Sequence, residues 1–484
     1  MRNLFKIICF ISTLSIITSC SKEYEVPQNL IVHDFVWKGL NAYYLHQDQI
    51  ADLSDRRFNS DEQLSAYLNS FPDYNTLFSN LLLESDEKSM LIEDYNTITK
   101  PTIRTGFTNG LEFGIIADPS SSENVLGFVT HILPNSNAAN KTIDRGEYFY
   151  AVDGVQLTRT NYEDLLLNGN NDFTLFMANF DGVNITPNAK TVNLEKEEYI
   201  YPATFLSKVI PVNSNNIGYL MYNNDFSTNY LNDIKTIGVD FTNQNVSQLI
   251  LDLRYNIGGG SFAKNIEKLA SIITGQFQNE VFIKEQWNTK AQEWFLENQP
   301  DSLNTRFSTN MNQSVSDNGM QVTDLYIILN GKNFSGSSAV ELLINSLDAY
   351  INVHVIGNQT SGNNTGAITL YNSDDYDFEL KETSHTVALQ PIVLSFLNKN
   401  DQSYENGLTP VIDLCNTEDV LNLGVLGETS DPILNSIIQY IETGNANTVN
   451  SCNINNYEYL FNSIDNQRAV DRGVFIEQNL PNTN

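Results

Sequence analysis

Apolar and polar positions along this chain change rhythm three times. Between Leu30 and Leu45 the residues Leu30, Phe35, Val36, Leu40, Tyr43 and Tyr44 recur at helical spacing, which predicts an amphipathic helix. A second helical run follows Ser60-Asp61, whose side chains suit a helix N-terminus, and passes through Leu64 and Tyr67; a third is predicted from Leu77 to Leu83. Residues 29–98 therefore read as a small helical region. From Thr105 to about Tyr199 the period shortens to that of strands. Leu111 to Ile115 and Gly127 to Ile132 alternate, and Val152-Asp153-Gly154-Val155 carries the Asp-Gly pair of a tight hairpin. That stretch predicts a β-domain over 99–199. From Asn216 strands and helices take turns. Strands are predicted at Ile217 to Tyr222, Leu249 to Leu253, Leu325 to Leu329 and Val353 to Ile356. Helical stretches at Asn229 to Val239, Ala263 to Thr274 and Ser337 to Leu347 fall between them. Such alternation implies a mostly parallel sheet, assigned to residues 204–442, and an Asn-rich, partly loose C-terminal tail is expected at 443–484.

Composition narrows the function classes. A chain of 484 residues has room for two to four domains with sizeable cores. Its 27 basic and 58 acidic residues leave a net charge of −31, which argues against nucleic acid or an anionic lipid surface as a partner of the folded part. Hydrophobic content of 41% excludes a largely disordered chain. The first residues read as a targeting segment. Arg2 and Lys6 precede an apolar run from Ile7 to Ile17, too short to span a bilayer, and Ile17-Thr18-Ser19-Cys20 closes it. This resembles a bacterial lipobox, implying a signal peptide at 1–19, a lipid anchor on Cys20, a tether over 20–28 and a place in the cell envelope. The acidic stretch Ser21-Lys22-Glu23-Tyr24-Glu25 resembles the tethers of surface lipoproteins in Bacteroidetes-like bacteria. Cys415 and Cys452 would then share an oxidising compartment, where a disulfide between them is expected. The five histidines are scattered; no metal site and no cofactor is predicted.

Chemistry concentrates in three short stretches. Leu251-Asp252-Leu253-Arg254-Tyr255-Asn256-Ile257-Gly258-Gly259-Gly260 ends an apolar strand in a turn with three glycines, where a backbone can approach a ligand closely. Ser335-Gly336-Ser337-Ser338-Ala339-Val340-Glu341 opens a helix, so a serine there exposes its Oγ beside unpaired backbone N–H groups. Gly357-Asn358-Gln359-Thr360-Ser361-Gly362-Asn363 forms a later turn. Together these resemble the C-terminal processing (tail-specific) serine peptidases, whose motifs are DLRxNxGG, a serine three residues before a glutamate, and a Thr-x-Gly-Lys turn. The resemblance runs from about residue 29 to 440. It implies an α/β multidomain chain: the helical region, a PDZ-like β-domain and a crotonase-like ββα peptidase core. Leu133-Pro134-Asn135-Ser136-Asn137-Ala138-Ala139 and Arg145-Gly146-Glu147 match the PDZ order. Such a domain would bind peptide or protein C-termini by strand addition.

By the same resemblance Ser338 is the nucleophile, with Ser335 and Ser337 as rivals. The oxyanion donors are then the N–H of Ala339 with one from Gly258 or Gly259, and Glu341, one helical turn from Ser338, is placed to orient a partner. The family's general-base lysine falls on Asn363. An amide has no proton affinity near neutral pH, so efficient catalysis is expected to be lost unless another base, such as Lys332 on the entering loop, reaches the serine. The two readings are a serine endopeptidase with a stand-in base and a peptide-binding pseudopeptidase.

Overall fold

The computed structural model describes residues 25–98, 102–308, 319–330, 334, 336–414, 418–446 and 457–476. Cys20, Cys415, Cys452, Lys332 and Ser335 lie outside them, and with them the expected anchor, disulfide and alternative base.

The first helix, Ile31–Tyr43, buries Phe35, Val36, Leu40 and Tyr43 along one face. Ser60 caps Asp61–Leu68 by accepting from the Gln63 N–H, and Asp73 caps Tyr74–Asn80 by accepting from Thr76, each satisfying an N–H with no partner inside its helix. This region has no core of its own. Leu40, Tyr43, Leu53 and Leu77 belong to the same apolar cluster as Phe282, Leu389 and Leu394 far along the chain. The short strand Met90–Ile92 pairs antiparallel with Ala388–Gln390, fastening the region to the later fold.

The β-domain is an antiparallel sheet around its own cluster, which includes Phe113, Ile115, Phe149 and Leu175. Asp153 (φ 50°) and Gly154 (φ 79°) both adopt the left-handed backbone of a tight hairpin, for which an Asp-Gly pair is suited.

The α/β part holds a six-stranded sheet. Asn215–Met221, Val246–Asp252, Asp324–Ile328, Asn352–Gly357 and Ile412–Asp413 run parallel, with Leu206–Val212 antiparallel at one edge. Helices Leu231–Asn243, Ala263–Thr274 and Ser338–Asp348 connect these strands. A second, five-stranded sheet contains Val281–Trp287, Ile392–Leu397 and Thr365–Ala367. The central strand Val246–Asp252 is buried from Leu249 onward, as a parallel strand covered on both faces must be. The whole is a mixed α/β multidomain chain.

The C-terminal segment departs from the expected loose tail. Tyr459–Asn462 joins the β-domain sheet beside Leu111–Ala117, and Val474–Phe475 joins the second sheet beside Thr365–Ala367. Residues 457–476 thus stitch two sheets together.

Candidate active site

The turn after Val246–Asp252 is built on a buried cation. Arg254 is fully buried and its guanidinium meets Asp252 at 2.8 Å, Glu418 at 2.9 Å and Asp431 at 2.7 Å. Arg145 of the β-domain pairs with the same Glu418 and donates to the Tyr255 hydroxyl at 2.6 Å, so one carboxylate ties the two domains. Burial alone would raise the Glu418 carboxyl, but Arg145 and Arg254 beside it hold it at about 2. His131 stacks on Tyr255 with ring centroids 4.4 Å apart, and burial, aided by the charge of Arg145, lowers it to about 3.

Beyond this anchor the chain turns sharply. Asn256 donates to the carbonyls of Tyr222 and Asn224 at 3.1 and 2.7 Å and accepts from the Gly258 N–H at 2.8 Å. Gly258, Gly259 and Gly260 all have positive φ (64°, 82° and 60°), a conformation glycine adopts at little cost. The Gly258 N–H, expected to face an oxyanion, is therefore already engaged by the Asn256 side chain; of the expected donors, Gly259 and Ala339 are left without that engagement. A Cβ on Gly258 would lie 3.9 Å from Ser337 Cβ, so the glycine turn abuts the helix start.

That helix begins at Ser338, with Ser337 at the N-cap position. Ser338 is fully buried and Ser337 is 5% exposed. The glutamate one turn on, Glu341, is also fully buried. Its carboxylate accepts the backbone N–H groups of Gly362 and Asn363 at 2.6 and 2.9 Å and the Ser361 hydroxyl at 3.2 Å. With its oxygens so committed, Glu341 fixes the turn that presents Asn363.

The Asn363 amide nitrogen donates to Ser338 Oγ, and its carbonyl oxygen is turned away to accept from Thr365 Oγ1 at 2.9 Å. The acceptor for the serine proton lies outside all three of the chemistry-bearing stretches. Ser338 Oγ donates to the Asp471 carboxylate, 2.8 Å from each oxygen, and the Ser338 backbone N–H donates to Oδ2 at 3.0 Å. Lys88, from the helical region, donates to the Asp471 backbone carbonyl at 3.0 Å, and its ammonium lies 3.9 Å from Oδ2. Neither residue sits in a local pattern: Asp471 is 133 positions from Ser338, and its neighbours carry no periodic signal.

A cleft of about 960 Å³ opens beside this cluster, between the glycine turn and an aromatic wall of Tyr95, Tyr371 and Phe378. Tyr371 and Phe378 lie 5.0 Å apart by ring centroids, and Phe378 stays 43% exposed. Groups of three or more histidine, cysteine, aspartate or glutamate side chains that could hold a metal ion are absent among the described residues.

Residues 216–413 match the model of Peptidase family S41, and the chain thus carries a domain of that family. The fold is similar to the crystal structure of a candidate S41 protease from Bacteroides fragilis, with a TM-score of 0.61 at 18% identity over 85% of this chain and 97% of that one. The photosystem II D1 C-terminal processing protease aligns over 81% of this chain and 93% of its own, with 14% identity and a TM-score of 0.41. No curated protein matches the chain.

Proposed function

Taking residues 216–413 as a peptidase family S41 domain, we propose that this protein is a lipid-anchored envelope protein. It binds extended peptide segments and protein C-termini beside Ser338 and hydrolyses them poorly or not at all. The side chain of Asn363 carries the reading. A serine becomes a nucleophile only as its proton passes to a base, and a useful base has a pKa near the working pH. At Asn363 the group facing Oγ is an amide N–H donor. It takes up a lone pair of the attacking oxygen and accepts nothing in return.

Peptide binding has separate support. The cleft beside the glycine turn is large, and its aromatic wall offers apolar surface to a side chain. The antiparallel β-domain is read as PDZ-like, a module that takes a peptide terminus as an added strand. The anchor is read from Ile17-Thr18-Ser19-Cys20, and no described helix is long and apolar enough to cross a membrane.

One observation favours a working serine peptidase instead: the Asp471 carboxylate lies 2.8 Å from Ser338 Oγ and is able to accept its proton. A carboxylate is a weak base for a hydroxyl, which leaves this as the second reading.

The test uses the mature chain from Ser21 and an unfolded protein with an apolar C-terminus, with Ser338→Ala and Asn363→Lys/Asp471→Ala beside the unaltered chain. Removing Asp471 in the double variant keeps the introduced ammonium from being neutralised by that carboxylate. Binding without cleavage by the unaltered chain, and cleavage by the double variant, are expected. Cleavage by the unaltered chain that disappears in Ser338→Ala would overturn the proposal.

A further inference from the structure

The C-terminal segment lies where a ligand of the proposed kind would lie. Tyr459–Asn462 adds antiparallel to Leu111–Ala117 at the edge of the β-domain sheet, with Phe461 opposite Ile115 and Asn462 opposite Gly114. Backbone bonds extend the pairing: Ala117 donates to Glu458 at 2.9 Å and Ser463 to Phe113 at 2.8 Å. After a single 3-10 turn at Asp465–Gln467 the chain passes along the glycine turn. Ala469 donates to the Ile257 carbonyl at 2.8 Å, Phe475 to Ser261 at 2.7 Å and Ile476 to Ala367 at 3.0 Å. Val474–Phe475 runs parallel to Thr365–Ala367, the strand that follows Asn363. Between these fixed points Asp471 places a carboxylate on the Ser338 N–H and hydroxyl, with the Asn363 amide 3.4 Å and the Lys88 ammonium 3.9 Å from Oδ2. A carboxylate surrounded by donors beside a nucleophile is the arrangement a cleaved peptide terminus would make.

We propose that residues 457–476 are a resident pseudoligand. The segment occupies the sheet edge and forms one wall of the cleft over Ser338, and Asp471 takes the place of the terminal carboxylate of a bound peptide. An outside ligand, an extended peptide with a free C-terminus, enters only when the segment lifts. This rests on the peptide-binding reading for the nature of the ligand, but the covering of Ser338 is a property of the chain itself. Ser338 is fully buried although it adjoins an open cleft. The strand that covers it keeps Val470 71% exposed and the Asp471 side chain 28% exposed. Ile464 and Val474 are buried in the apolar clusters at either side, so the part that lifts is the irregular stretch 468–473, which opens at lower free energy than a buried strand.

The test reads access to position 338 without requiring catalysis. In a Ser338→Cys chain, the rate of iodoacetamide labelling at that position is followed by peptide mass mapping. Labelling is expected to be slow, and at least about tenfold faster when Ala469→Pro and Asp471→Ala loosen the segment, since the first removes its bond to Ile257 and the second the bonds its carboxylate makes. Equal rates would overturn the proposal. A synthetic peptide of residues 457–476 should restore protection to the loosened chain. If loosening speeds labelling but no peptide with a free C-terminus protects the site, the covering segment stands and the peptide-binding reading falls. Hydrogen exchange on the unaltered protein guards against misfolded variants. The Ala469 amide should exchange about a hundredfold faster than those of Val246–Asp252, and exchange as slow as that strand would equally overturn the idea.

Discussion

Two buried polar clusters stand at the two ends of the same turn, and they are built on opposite principles. At Arg254 three carboxylates, Asp252, Glu418 and Asp431, surround one guanidinium, and a second guanidinium from Arg145 shares Glu418. At Ser338 a hydroxyl, an amide and a carboxylate meet, and the cation that approaches, Lys88, lies outside the serine contact. The first cluster is charge-compensated and fixes backbone; in the second an amide N–H and a carboxylate face the serine oxygen. The lesson is that the geometry that shapes the turn and the groups that face the serine are carried by different residues.

The largest effect should come from breaking the compensated cluster. Arg254→Met leaves three buried carboxylates facing one another across an apolar side chain, and losing one partner of such a pair costs about 3–5 kcal/mol. Denaturant unfolding should show that loss or a chain that no longer folds; a change near zero would mean that water compensates the cluster.

Acid should expose the same contrast more gently. A glutamate titrates near about 4.3 in an unfolded chain, and Glu418 is held at about 2 in the fold by Arg145 and Arg254 against the opposing effect of burial. The fold therefore gains stability from Glu418 that is fully present above the unfolded value and is lost as pH falls from there towards about 2. His131, lowered to about 3 by burial, acts over a higher window: its neutral form is favoured, so stability declines as pH drops below its unfolded value of about 6.5. Unfolding free energies between pH 7 and pH 3 should fall in both windows. Glu418→Gln should flatten the lower one and His131→Phe the upper. A pH-independent unfolding curve would contradict both.

The smallest effect belongs to the second cluster. Ser338→Ala removes the hydroxyl that Asp471 accepts from, but that carboxylate is partly exposed and turns to water. The global stability should change by less than about 1 kcal/mol. A larger loss would make Ser338 a structural residue.

What the sequence makes legible follows from range. The helix Ala263–Thr274 and the strand core at Leu249 to Leu251 are encoded in their own periodicity, and both form at the expected places. The glycine turn, the serine at a helix start and the turn bearing Asn363 each announce themselves within ten residues, and the fold brings them to one spot. Glu418, Asp431 and Asp471 do not, because a carboxylate recruited from across the fold leaves no local pattern. The C-terminal strands are harder still. Tyr459–Asn462 and Val474–Phe475 are four and two residues long, too short for an alternation to register, and the Asn-rich composition around them points to loop. Between Gly258 and Gly259 the sequence offers no choice: the Gly258 N–H is held by the Asn256 side chain, and no residue count reveals it.

Whether a neighbouring base activates Ser338 is read directly by covalent labelling. The unaltered mature chain would be treated with a fluorophosphonate, which bonds to serines that a neighbouring base activates, and its intact mass measured, with Asn363→Lys/Asp471→Ala as the positive control. An unmodified native chain beside a singly modified variant is the predicted result. A stoichiometric adduct on Ser338 of the native chain would show a working base in place and contradict the proposed function.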